Sequence, residues 1–267
     1  MNGSPLVVTN SLLDDVKKCP RLAYFRHYRG WTGKAPAMPL TAGRAFGNAA
    51  GEWLARRERK ASLETLRREW VPDAPSATKA DTLEVFEAML SHFMEQTSEL
   101  PGEVTIEQEM EAPLASGIVY QGHIDATLHA GAASSYIEIK TMRESGWNSV
   151  TPQKYALADQ QVGYDWLGRK RLGAGFKGLV SFVCLVSDRP EIRIVPCAPT
   201  ALQQDAWRFN AIYWSNVWKA MVEGGHPGGC NFGSCGLYKQ RCFATDLCLS
   251  GAPPASLRPP EGFTEPT

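Results

Sequence analysis

The segment GHIDATLHAGAASSYIEIK, residues 122–140, alternates apolar with polar side chains on both sides of a Gly-containing break. That period of two is the pattern of two strands joined as a hairpin. Residues two apart in a strand share a face, so Glu138 and Lys140 project together while Ile137 and Ile139 point into a core. Asp125, on the neighbouring strand, can reach the same spot. Two carboxylates and the backbone carbonyl of Ile139 are hard oxygen donors, a set that suits Mg²⁺ or Mn²⁺ and leaves coordination positions for water and phosphate. A lysine beside such a metal can orient or help deprotonate an attacking water and stabilise charge on a phosphate. The same residues also fit an ordinary half-exposed hairpin whose solvent face carries Asp, Glu and Lys.

Working outward, VTIEQEMEA (residues 104–112), IVYQGHIDATLHA (118–130) and SYIEIKTM (135–142) read as three strands of a meander. A helical stretch over 152–171 follows, then GLVSFVCLV (178–186), whose continuous apolar run predicts a central strand buried on both faces. EIRIVPC (191–197) is expected to pair beside it, and an amphipathic helix over 200–223 closes the regular structure at Gly224–Gly225. Upstream, apolar residues at three- and four-residue spacing, as in Phe46, Ala49, Ala50, Trp53 and Leu54, predict helices over 41–60 and 81–99. Ser11 followed by Asp14 resembles a capping box opening a short helix that carries Cys19, and Pro20 fits where a second turn restarts. Helices, meander, helix, strands and helix in that order make a mixed α/β arrangement, a central sheet flanked by helices. The proline-rich, polar end, 252–267, reads as a disordered tail.

The chain's 267 residues, 43% of them hydrophobic, suffice for one domain with a substantial core. Its 28 basic and 28 acidic side chains cancel, so a polyanion would have to be held by local patches. Basic residues do cluster, at Lys17, Lys18, Arg21, Arg26 and Arg29, at Arg56, Arg57, Arg59 and Lys60, and at Arg169, Lys170 and Arg171; solvated helix faces account for such clusters equally well. The start MNGSPLVVTN lacks the features of a signal peptide, and no stretch approaches the ~18 apolar residues of a membrane span. An intracellular, soluble protein is expected. In a reducing compartment the seven cysteines point to metal or cluster binding and not to a disulfide framework.

Four separated segments, spanning residues 11–248, resemble the PD-(D/E)XK nuclease superfamily, in particular the branch with the RecB and AddB nuclease domains, the CRISPR adaptation exonucleases and phage exonucleases. SLLDDVKKCPRLAYF resembles the opening helix with its Cys-Pro, and GHIDATLHAGAASSYIEIKTM the core motif. ALADQQVGYDWLG resembles the following helix with its Gln-x-x-x-Tyr signature, and CGLYKQRCFATDLC the terminal cysteine motif. The resemblance implies a restriction-endonuclease-like mixed sheet within one nuclease domain over 1–251: a helical part (11–100), a catalytic core (101–224) and a Cys-rich segment (225–251). It implies Asp125, Glu138 and Lys140 as the catalytic triplet, with Mg²⁺ or Mn²⁺ held by Asp125, Glu138 and Ile139. Gln160 and Tyr164, one helical turn apart, would border that site; a surface amide and a semi-buried tyrosine are their plainer reading. The implied activity is that of an exonuclease on DNA, single-stranded or with free ends. Its implied setting is recombination, repair or phage DNA processing beside a recombinase or helicase, in the cytoplasm of a bacterium or phage-infected host.

Cys230, Cys235, Cys242 and Cys248 fall within nineteen residues of little hydrophobic periodicity, and thiolates so spaced suit either Zn²⁺ or a [4Fe–4S] cluster. The resemblance selects Cys19, Cys235, Cys242 and Cys248 as ligands of a [4Fe–4S] cluster; a zinc knuckle that uses Cys230 and omits Cys19 is the competing arrangement. Cys184 and Cys197, on expected strands, read as small buried hydrophobes. Many members of the superfamily carry a metal-ligating histidine on the early helix. The matching stretch here, GRAFGNAAGEWL (43–54), places Gly51 at that position, with Glu52 about 100° away around the helix. This departure motivates a second reading, a nuclease-fold DNA-binding or assembly module with weakened catalysis. Trp31, Tyr24 and Trp147, near basic positions, are candidates for stacking on bases.

Overall fold

In chain order the elements are β1 (Leu6–Thr9), α1 (Asn10–Lys18), α2 (Pro20–Ala23), a π-helical turn (Tyr24–Tyr28), β2 (Thr32–Gly33), α3 (Met38–Arg56), α4 (Arg59–Glu69), α5 (Leu83–Thr97), β3 (Glu103–Ala115), β4 (Ile118–Ala130), β5 (Ala133–Arg143), α6 (Thr151–Ala156), α7 (Asp159–Leu172), β6 (Phe176–Val186), β7 (Glu191–Cys197), α8 (Ala201–Glu223), α9 (Thr245–Leu249) and β8 (Phe263–Thr264). The computed structural model describes residues 4–33, 38–71, 82–235, 242, 244–249, 258–259 and 263–264. Six strands form a mixed sheet in the order β1-β4-β5-β6-β7, with β3 also paired to β4. The β4–β5 and β6–β7 pairs are antiparallel, β1–β4 and β5–β6 parallel. The α/β class, the helical N-terminal part and the meander are as the sequence pattern predicts. The chain divides into two compact units, one of 36–112 and 122–207, the other of 1–35, 113–121 and 208–267.

In the first of these units the alternation of β5 and β6 sorts two layers. Ile137, Ile139, Phe182, Cys184 and Val186 face a core made with Phe46, Ala49, Ala50 and Leu54 of α3 and Phe86, Met89, Leu90 and Phe93 of α5. On the opposite face Val183, Leu185 and Val195 pack with Met142, Trp147 and the α6 residues Tyr155 and Ala156. β6 is thus buried on both sides, which its unbroken apolar run requires. The helix expected over 41–60 ends at Arg56. Arg57 takes a left-handed backbone (φ 59°), and its guanidinium donates to the Thr97 carbonyl at 2.6 Å. After this turn α4 begins, an element not foreseen in the sequence. Likewise the stretch expected as one helix over 152–171 is two, broken at Leu157 and Ala158, whose backbone is extended at Ala158 (ψ 146°).

In the second unit β1 pairs in parallel with the start of β4, from Leu6↔Ile118 to Thr9↔Gln121. α1 is capped by Thr9, whose hydroxyl accepts from the Leu12 N–H at 3.3 Å; the expected Ser11–Asp14 box is not the cap. α2 begins with Pro20, where a missing N–H does no harm. The buried Asp15 accepts from Arg26 (3.2 Å) and contacts His27 (3.1 Å). Asn231 and Ser234 donate side-chain hydrogen bonds to the Lys18 carbonyl, at 2.9 and 2.8 Å, so the C-terminal segment closes on the end of α1. Of the tail expected to be disordered, the described residues are 258–259 and 263–264. The latter form β8, antiparallel to β2; the rest lie outside the described residues.

Candidate active site

The β4–β5 ladder runs from Ala130↔Ala133 to Ala126↔Ile137. Just beyond it the Asp125 carboxylate accepts the Ile139 N–H at 2.7 Å, taking the place of a ladder acceptor. Asp125 therefore sits where the two strands part, and this anchors its side chain against β5. Glu138, on the face of β5 away from Ile137 and Ile139, is 1% exposed. Its Oε1 accepts from the Lys140 ammonium and from Gln160 Nε2 (3.0 Å), and the same Gln160 amide donates to the Tyr164 hydroxyl at 3.1 Å. Among the described residues Glu138 Oε2, which is buried, has no hydrogen-bond partner. The same holds for the buried Ser181 hydroxyl, directly across from Glu138 in the β5–β6 register. Gly122 makes room for α7, because a Cβ there would lie 2.7 Å from the Tyr164 ring.

Burial dominates the electrostatics. It raises Asp125, against the opposing pull of Lys140 and the Ile139 N–H, and Glu107 adds to the rise. Burial pushes Glu138 up to about 7 although Lys140 opposes it, with the Asp125 charge adding to the rise. For Lys140 burial acts downward, but the carboxylates of Glu138 and Asp125 outweigh it and hold the ammonium above its ordinary value. Tyr164 is raised by burial and by the Glu138 charge. A buried acidic oxygen without a hydrogen-bond partner is a group that a cation would satisfy. Among the described residues no three His, Cys, Asp or Glu side chains converge into a ready metal cage. A divalent cation here would accordingly draw on two carboxylates and backbone oxygen, and the donor set fits Mg²⁺ or Mn²⁺.

A cleft of about 390 Å³ opens beside this site. Asp125, Ile139 and Lys140 line one side, Ile106 and Glu107 of β3 another, and Gly43, Arg44, Gly47, Asn48, Gly51 and Glu52 of α3 with Thr65, Arg68 and Glu69 of α4 the rest. Gly51 does lie in the cleft with Asp125. Glu52 pairs with Arg56 at 3.2 Å, and Asn48 donates to Glu69 at 2.6 Å. Arg44, Asn48, Arg68 and Ser181 carry no motif and were not singled out by sequence. Glu107 was missed too; its left-handed backbone (φ 46°) within a strand is invisible in the residue order.

Trp31 and Tyr24, offered as base-stacking candidates, are instead buried. Trp31 stacks on Phe25 (4.6 Å between centroids) and Tyr24 on Tyr28 (4.9 Å). Trp147 packs near Tyr155. Cys184 and Cys197 are buried as expected, the Cys197 thiol donating to the Ala156 carbonyl at 3.0 Å.

In the other unit, Cys19 Sγ accepts the Asn231 N–H at 3.5 Å, and the Cys242 N–H donates to the Cys235 carbonyl at 2.8 Å. The Cys242 thiol is raised by burial and by the nearness of Cys235 and Cys19. Burial and a hydrogen bond with Cys230 push Cys248 up to about 12. Cys242 thus lies within electrostatic reach of Cys235 and Cys19, and Cys248 lies against Cys230, the cysteine left out of the expected ligand set. Among the described residues no three of these cysteines converge into a ready metal site.

No protein-family model and no curated protein matches the chain. Among solved structures it is similar to a "putative exonuclease" from Eubacterium rectale, with a TM-score of 0.59 and 13% identity over 94% of this chain and 89% of that one. It also aligns with SSO0001 at a TM-score of 0.36 and 14% identity, over 80% of this chain and 78% of that one, a likeness too low to argue from. Among the described residues no helix is long and apolar enough to cross a membrane. The chain has the α/β fold of the exonuclease-like structure from Eubacterium rectale.

Proposed function

We propose that this chain is a metal-dependent DNA nuclease of the PD-(D/E)XK kind, an exonuclease acting on single strands or free ends. The supporting observation is the meeting of Asp125, Glu138 and Lys140 where β4 and β5 part, with Glu138 Oε2 buried and unpartnered. Asp125, Glu138 and the Ile139 carbonyl would hold Mg²⁺ or Mn²⁺. When bound, such an ion supplies an activated water and a polarised phosphoryl oxygen. Lys140, held above its ordinary pKa, is an ammonium at neutral pH and acts as a hydrogen-bond donor to charge developing on the phosphate. Gln160 fixes Glu138 and is itself fixed by Tyr164, so these two residues position the carboxylate. The Ile139 N–H does the same for Asp125.

Cys19, Cys235, Cys242 and Cys248 are the proposed ligands of a [4Fe–4S] cluster that ties the C-terminal segment to α1, with zinc as the alternative occupant. Recombination, repair or phage DNA processing, beside a recombinase or helicase, is the proposed setting, within one nuclease domain. The glycine at position 51, where an imidazole would add a metal ligand, favours one other reading, a DNA-binding module of weakened catalysis. Asp125→Ala separates the two. A nuclease loses Mg²⁺-dependent digestion of DNA while keeping its affinity for DNA within a few-fold; a binding module digests nothing in either form.

A further inference from the structure

Helix α8 buries one face and leaves the opposite one open. Trp207, Ala211, Ser215, Trp218 and Met221, at three- and four-residue spacing, are all buried. On the other side Leu202, Ala206, Phe209, Tyr213, Asn216 and Ala220 alternate four- and three-residue intervals, and all are exposed. At 100° per residue they fall within about 80° of arc, a strip ~27 Å long that contains no charge. Leu202 is 78% exposed, Phe209 71% and Tyr213 53%. Single apolar residues on a surface need no explanation. Three large ones aligned with small uncharged neighbours, at the spacing that packs one helix on another, form a seam without a mate.

The borders of the strip indicate what the mate is. Along one stand Asp205, Ile212 and Lys219, seven residues apart; along the other stand Gln203, Asn210 and Val217, equally spaced and uncharged. Among the described residues the Asp205 side chain has no ion-pair or hydrogen-bond partner, and Lys219 reaches only Glu223, at 3.9 Å. When two identical helices pair antiparallel about a two-fold axis, each border lies against the same border of the other copy. With the axis beside Ile212, Asp205 of one copy faces Lys219 of the other, and symmetry repeats the match, because both residues lie seven positions from Ile212. The same axis sets Phe209 between Tyr213 and Asn216 of the second copy, and Leu202 beside its small Ala220. Parallel pairing would instead set Asp205 against Asp205 and Lys219 against Lys219, which like-charge repulsion disfavours.

We propose that α8 is a homodimer seam, two copies of this chain pairing antiparallel through the Leu202–Ala220 strip about a two-fold axis at Ile212. A strip one helix wide buries less than the roughly 1,200 Å² at which standard interfaces begin, so the dimer is weak, with a dissociation constant on the order of 10 µM. The proposal stands apart from the nuclease reading, which neither requires nor forbids it.

Sedimentation equilibrium of the full-length chain from about 1 to about 200 µM, with melting curves at the lowest concentration, tests the seam. Wild type is expected to pass from monomer to dimer across that range. Phe209→Ser is expected to stay monomeric and to melt like wild type, because the ring is exposed. Asp205→Lys and Lys219→Asp each set like charges face to face twice and are expected to weaken the dimer by about fivefold or more. The double variant restores opposite charges and is expected within about twofold of wild type. Wild type that is monomeric up to about 200 µM overturns the proposal and leaves the strip to a different protein. A dimer that Phe209→Ser leaves intact overturns the seam, and a double variant as weak as the single ones overturns the antiparallel register.

Discussion

Glu138→Gln is predicted to stabilise the metal-free protein at alkaline pH. Burial raises the Glu138 carboxyl from 4.5 to about 7 in the folded chain. A folded-state value above the unfolded one means that the carboxyl's contribution to stability is complete below about pH 4.5 and is lost as the pH rises through 7. The rise from 4.5 to about 7 corresponds to roughly 3 kcal/mol. Glutamine has the shape of the neutral acid and can still accept from Gln160 and Lys140, so the variant does not suffer this loss. For a chain of this size the difference is a melting temperature roughly 6 to 12 °C higher than wild type at pH 8 in EDTA, shrinking toward zero at pH 5. Melting followed by circular dichroism across that range measures it. Saturating Mg²⁺ should then raise the wild type at pH 8 and leave the variant nearly unchanged, because only the wild type has the carboxylate to offer. A gap that does not change with pH, or a variant less stable than wild type at pH 8, would refute the reasoning.

Other consequences are independent of that one. Gly122→Ala puts a Cβ 2.7 Å from the Tyr164 ring, and a denaturant titration should find about 1–3 kcal/mol of lost stability together with weaker activity as Tyr164 is pushed off Gln160. Asp15 is buried, which alone would raise it, but His27 and Arg26 outweigh burial and hold its pKa below the ordinary value. Its stabilisation is therefore present above the unfolded value of 3.8 and lost as the pH falls through the lower folded value; urea midpoints from pH 6 downward should fall more steeply for wild type than for Asp15→Asn. Cys242→Ser should lower the iron or zinc content of anaerobically purified protein, measured by elemental analysis, while Cys184→Ser leaves it unchanged because Cys184 is sealed in the core.

The parts of the fold that could be read from the residues are those governed by short-range periodicity. Glu138 and Lys140 share a face because strands have a period of two, and the apolar run of β6 needed cover on both sides. What could not be read depends on contacts far apart in sequence or on single backbone angles. β1 is too short to have a pattern and exists because Ile118–Gln121 offers it an edge. Arg57 breaks a helical pattern with a left-handed residue that no glycine announces. Trp31 and Tyr24 lie among basic residues in the chain, yet burial claims their rings. The core of the candidate site was legible, since Asp125, Glu138, Lys140, Gln160 and Tyr164 lie in motifs. Its surroundings were not: the wall of Arg44, Asn48 and Arg68, and Ser181 across from Glu138, are brought there only by packing.

The most direct test of the account is digestion of end-labelled single-stranded DNA by anaerobically purified wild type and by Lys140→Ala, each with Mg²⁺, with Mn²⁺ and with EDTA. The account predicts cleavage by wild type that requires the metal and is abolished by EDTA, with the rate in Lys140→Ala lower by about 100-fold or more. No metal-dependent cleavage by folded wild type, or equal cleavage by both proteins, would contradict it.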